Sequence, residues 1–113
     1  MPIAGALCDG ALAQEAVSFK EDVYPIIELR CLACHQPGGE GYEKSGLDLR
    51  TYEGLMKGTK YGSIVSPGRW AESNLLAVIN HRTRPEIWMP HKREPVSKCE
   101  RLLLRHWVMQ GAR

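Results

Sequence analysis

The chain has 113 residues, 43% of them hydrophobic, and a formal net charge of +2, enough for one compact core and too little for two. No stretch approaches the roughly 20 apolar residues that a membrane-spanning helix needs. A pI near 8.4, without Lys/Arg clusters interleaved with aromatics, argues against a nucleic-acid binder. The net charge hides a division: residues 1–56 carry nine acidic and four basic side chains, residues 57–113 four acidic and eleven basic. The basic excess gathers around Arg82, Arg84, Lys92 and Arg93; a solvated face is the ordinary reading of such asymmetry, and a patch that could steer an acidic partner is the other.

In chain order, residues 1–13 are small and apolar and end in Ala11-Leu12-Ala13. They look like the tail of a secretory signal peptide with cleavage before Gln14, although a basic start is missing and Asp9 interrupts the apolar run. The alternative is a mobile amino-terminal arm. In either case residues 14–113 form the single domain. Ser18-Phe19-Lys20-Glu21 fits a capping box and predicts a helix start. Val23, Ile26, Ile27 and Arg30 follow at helical spacing, with Pro25 expected to kink the helix. Gln36 to Gly46, with four glycines and Pro37, predicts a loop.

Leu47 to Met56 predicts a short helix or turn, and Gly58 to Gly68 a further loop. Leu75, Leu76, Val78 and Ile79 suit a buried helix over Ser73–His81. Pro85, Pro90 and Pro95 predict an extended, stiff connection. A second capping box, Ser97-Lys98-Cys99-Glu100, opens a last helix that turns Leu103, Leu104, Trp107 and Val108 inward and stops at Gly111. The sum is an all-α domain of three to four helices.

The chemistry sits where the first helix ends, at Cys31-Leu32-Ala33-Cys34-His35. In C-x-x-C-H the two thiols add across the vinyl groups of one haem and the adjacent His supplies an imidazole to the iron. Given four Cys and four His, the pattern would arise by chance roughly 0.005 times in a chain of this size, which makes coincidence a poor explanation. A thioredoxin-type pair wants its C-x-x-C at a helix start after a strand, whereas here a helix precedes it. A zinc site of Cys31, Cys34, Cys99 and Cys8 or a His lacks a second closely spaced pair. With one Phe, four Tyr and three Trp, the core also gains from a large apolar group at its centre.

Met89, on the proline-stiffened Trp88-Met89-Pro90 segment, is the expected sixth ligand, and its thioether favours reduced iron. His81 and His91 compete for that role. Met56 and Met109 are expected to fill the core, and His106 to lie at the surface or its boundary.

The order of these elements resembles the single-haem class I cytochrome c domains, most closely the planctomycete-type branch. The likeness runs from Phe19 to Ala112. It is carried by Val23-Tyr24-Pro25-Ile26-Ile27, the haem motif, Gly46-Leu47-Asp48-Leu49, Ile64-Val65-Ser66-Pro67-Gly68, Ser73-Asn74-Leu75-Leu76, Met89-Pro90 and Trp107 to Ala112. The resemblance implies a small cytochrome c fold around one covalent haem c, held by Cys31 and Cys34 with His35 proximal and Met89 distal, and first and last helices that cross beside it. The expected function is single-electron transfer outside the cytoplasm, in the periplasm, between redox partner proteins and without catalytic turnover. The alternatives are a haem-based ligand binder or sensor with an open sixth site, and a cytochrome subunit docked in a larger respiratory enzyme. In that fold Cys8 and Cys99 each precede one of the two crossing helices, so a disulfide between them is one expectation and a free, buried Cys99 the other.

Overall fold

The structure is a computed structural model that describes residues 16–91 and 93–113. Among the described residues five α-helices follow one another: α1 (Tyr24–Arg30), α2 (Glu40–Ser45), α3 (Tyr52–Lys57), α4 (Asn74–Ile79) and α5 (Lys98–Met109). Short 3-10 turns occupy Trp70–Glu72 and Pro85–Ile87. Among the described residues there is no strand, only an isolated bridge between Thr59 and Gly62. The all-α expectation is met. The helix count exceeds the expected three to four because the predicted loop Gln36–Gly46 contains α2. Residues 1–13, with the possible leader remnant and Cys8, lie outside the described residues.

A π-helical turn, Phe19–Val23, leads into α1. As expected, Ser18 Oγ accepts from the Glu21 N–H at 3.1 Å. The returning carboxylate is not Glu21 but Asp22, whose Oδ2 accepts from the Ser18 N–H at 2.8 Å. The wider turn explains the shift. The Val23 N–H reaches the Ser18 carbonyl, five residues back, at 3.1 Å, so the side chain that swings under the cap stands one position later than in an α-helical box. Pro25 falls in the first turn of α1, where its missing N–H costs no hydrogen bond. It stands where the chain passes from π to α spacing.

The second capping box forms as expected: Glu100 N–H to Ser97 Oγ at 3.1 Å, Ser97 N–H to Glu100 Oε1 at 2.9 Å. Leu103, Leu104, Trp107 and Val108 of α5 are all buried. Met109 is 47% exposed, contrary to the core-filling expectation, because it stands one residue past that inward stripe. Met56 does pack against the core.

The entry turn and α5 pack against each other, joined at one end by aromatic rings and at the other by charge. Phe19 lies 5.7 Å from the fully buried Trp107 and meets Tyr52 edge-on at 5.3 Å, centroid to centroid. Such tilted contacts match the ring quadrupoles. The Tyr52 hydroxyl donates to the Ala112 carbonyl at 2.7 Å, and the Val17 N–H to Gln110 Oε1 at 2.8 Å. At the other end Arg30, the last residue of α1, donates through Nε to Glu100 Oε1 at 3.0 Å. The helix that ends in the cysteine motif is thereby fixed against α5.

Candidate cofactor-attachment site

α1 stops at Arg30, and Cys31 caps it with its N–H on the Ile27 carbonyl at 2.8 Å. The next residues form a tight turn in which the N–H groups of Cys34 and His35 both reach the Cys31 carbonyl at 3.2 Å. The turn places both cysteines and His35 in the five residues that follow the helix end. Cys31 and Cys34 are free and half-buried. Burial, then the nearby Glu100 carboxylate, raises the Cys31 thiol to about 11, outweighing Arg30 and Arg93. A nucleophilic redox cysteine and a zinc ligand both need a thiolate, whereas a thioether carries no charge and suits this apolar setting. The preceding helix likewise departs from the thioredoxin arrangement.

His35 is 9% exposed, and its Nδ1 is buried with no hydrogen-bond partner. Burial lowers its pKa against the opposing pull of a Leu47 backbone group, so the ring is neutral at pH 7. A neutral imidazole is the form that ligates metal, and a buried nitrogen not engaged by the protein calls for an explanation that iron ligation would supply. The residues present therefore fit a haem attached through Cys31 and Cys34 with His35 on the iron.

The glycine-rich segment does more than connect. The Tyr42 N–H donates to the Cys34 carbonyl at 2.7 Å, and the Leu49 N–H to the His35 carbonyl at 2.8 Å. α2 is therefore strapped across the cysteine turn. A Cβ on Gly39 would come within 2.6 Å of the Cys34 carbonyl oxygen, closer than real contacts allow. The glycine run is visible in the sequence, but as a loop signal. Its role as a strap appears only once the two segments are seen in contact.

Met89 is half-buried and, like Cys31 and Leu32, packs at the margin of the core. Its N–H donates to the Val78 carbonyl at 3.2 Å, tying the segment to α4. Trp88 Nε1 donates to the Thr83 carbonyl at 2.8 Å. Of the competing ligands, His91 is exposed, and the exposed His81 ring stacks on Trp88 at 4.1 Å with an 8° interplanar angle. His106 is half-buried, as expected.

Of the basic rim, Arg82, Arg84 and Arg93 are exposed, and Lys92 lies outside the described residues. Cys99 is disulfide-bonded, while its expected partner Cys8 lies outside the described residues. Among the described residues no three His, Cys, Asp or Glu side chains converge as a metal site, which leaves the zinc alternative without a ligand set there. No helix among the described residues is long and apolar enough to cross a membrane.

Comparison with known proteins fits the geometry. The chain is 28% identical over 75 residues to the hydrazine synthase subunit alpha of Kuenenia stuttgartiensis, a stretch that covers 66% of this chain and 9% of that subunit. The chain thus corresponds to a small part of that relative's length. No solved structure matches. Residues 31–92, which open on the two cysteines and His35 and include Met89, match the planctomycete cytochrome C family, and with more than half its length so matched the chain belongs to that family.

Proposed function

We propose that the protein is a periplasmic c-type cytochrome that passes single electrons between redox partners through one haem, held covalently by Cys31 and Cys34 and ligated by His35 and Met89. The observation that carries this reading is the buried His35, whose Nδ1 has no hydrogen-bond partner, in the same helix-ending turn as two free cysteines. Bound there, haem iron supplies the one-electron chemistry. The chain's own residues do the rest. Cys31 and Cys34 fix the group at the end of α1, His35 offers a neutral nitrogen, and Met89 approaches from a segment held by Val78. The apolar core behind them excludes water. Family membership supports an extracytoplasmic setting, where cytochrome c domains of this type typically work.

The exposed Arg82, Arg84 and Arg93 offer a docking rim for an acidic partner, which speeds encounter more than it tightens binding. Catalytic turnover is no part of this reading. A docked role is the second reading. It draws on the similarity to one small segment of a large enzyme subunit, and co-purification of a stable partner would favour it.

The test is Met89→Ala in the haem-loaded protein. Haem should stay attached, the potential should fall with loss of the thioether, and carbon monoxide should bind the reduced variant but not the wild type. Carbon monoxide binding to the reduced wild type would replace the carrier reading with that of a ligand binder.

A further inference from the structure

Gly41 lies inside α2, and its φ is not positive. Its backbone therefore places no demand for glycine, and in a helix interior glycine is the poorest residue after proline. The reason for it lies opposite. A Cβ built on Gly41 would stand 2.6 Å from His35 Cε1 and 2.9 Å from both Nδ1 and Nε2. The two nitrogens flank Cε1 and are only slightly further than it, so the point lies over the ring face at Cε1, not beyond its edge. Gly41 thus turns its Cα–H side toward the imidazole face and leaves no room there for a side chain, with the Tyr42 N–H on the Cys34 carbonyl tying the two segments together. With one face covered this closely, the ring cannot turn about its own bond without driving an edge into α2.

We infer that Gly41 is a positioning residue for the axial ligand: by presenting only hydrogen to the face of His35 it lets α2 set the plane of the imidazole relative to a haem held by Cys31 and Cys34. The inference rests on the cytochrome reading and adds to it a residue outside the attachment motif. An alanine there would favour the helix and disfavour the ring orientation, so its effect on the ligand and its effect on the fold run in opposite directions.

Nuclear magnetic resonance of the haem-loaded protein tests it. In the reduced wild type a strong Overhauser contact is expected between His35 Hε1 and a Gly41 Hα, and its absence overturns the inference without recourse to any variant. In the oxidised protein the order and spread of the four haem-methyl proton shifts report the plane of the ligand ring. Gly41→Ala should change that pattern. Gly38→Ala should leave it unchanged, because Gly38 has a φ of +94° but nothing within 4 Å of an added Cβ. An unchanged pattern in Gly41→Ala with haem attached overturns this inference alone. Wild type that carries no covalent haem overturns the cytochrome reading, and the inference with it.

Discussion

Replacing Glu100 by Gln removes one charge that serves two purposes. Its Oε1 closes the capping box on the Ser97 N–H at 2.9 Å and also accepts from Arg30 Nε at 3.0 Å, while Oε2 lies 3.4 Å from Arg30 Nη2. The pair is largely shielded, with side-chain exposures of 18% for Arg30 and 17% for Glu100, and charge-assisted hydrogen bonds in such a setting contribute about 1.5–3 kcal/mol. A glutamine oxygen can still cap Ser97. The loss therefore falls on the ion pair, and Glu94, 83% exposed and 3.7 Å from Arg30 Nη1, replaces little of it. We expect a destabilisation of about 2 kcal/mol at pH 7.

The pH dependence is specific. Burial pulls the Glu100 carboxyl upward, but the Ser97 N–H and the Arg30 guanidinium together hold it below the usual glutamate value. A depressed carboxylate contributes stability that is present above its unfolded pKa and lost as pH falls through the folded one. Urea unfolding followed by helical circular dichroism should show a constant gap between wild type and Glu100→Gln from pH 8 to about pH 6, closing as the wild type is acidified below about pH 4.5. A gap under about 0.5 kcal/mol at pH 7, or one unchanged at pH 3, would refute the assignment of this charge to the joint between α1 and α5.

Trp107→Ala, at a fully buried position ringed by Phe19 and Tyr52, should cost about 3–5 kcal/mol in the same assay. Ser97→Ala should cost about 1 kcal/mol through loss of the cap. Before haem is attached, Cys31 should react slowly with iodoacetamide at pH 8 and faster up to its raised pKa of about 11; fast alkylation at pH 7 would show that the thiol is not buried as described. Electron transfer to an acidic partner should slow as salt rises, and more weakly so in an Arg82/Arg84/Arg93→Gln variant, with stopped-flow rates as the measurement.

The parts of the molecule legible in the sequence are those governed by local rules. The second capping box, the inward stripe of α5 and the end of the first helix at the cysteines follow from spacing alone, and the structure contains them. What escaped depends on contacts between distant segments. α2 was hidden because glycines that signal a loop serve here to let a helix approach the backbone of Cys34 and the ring of His35. The first cap moved from Glu21 to Asp22 because a π turn carries no sequence signature distinct from an α turn. The pairing of Arg30 with Glu100 joins residues 70 positions apart, beyond any periodicity argument. At the site itself, the place of Cys31, Cys34 and His35 at the end of the first helix was legible, and the burial that disfavours charge on His35 and on the Cys31 thiol was not.

The central claim is covalent attachment, and the most direct measurement is the intact mass of the protein under denaturing conditions after expression with haem-attachment machinery. The wild type should retain the mass of one haem through denaturation, and a Cys31→Ala/Cys34→Ala variant should not. A wild-type chain of unmodified mass, with both thiols still open to alkylation, would contradict it.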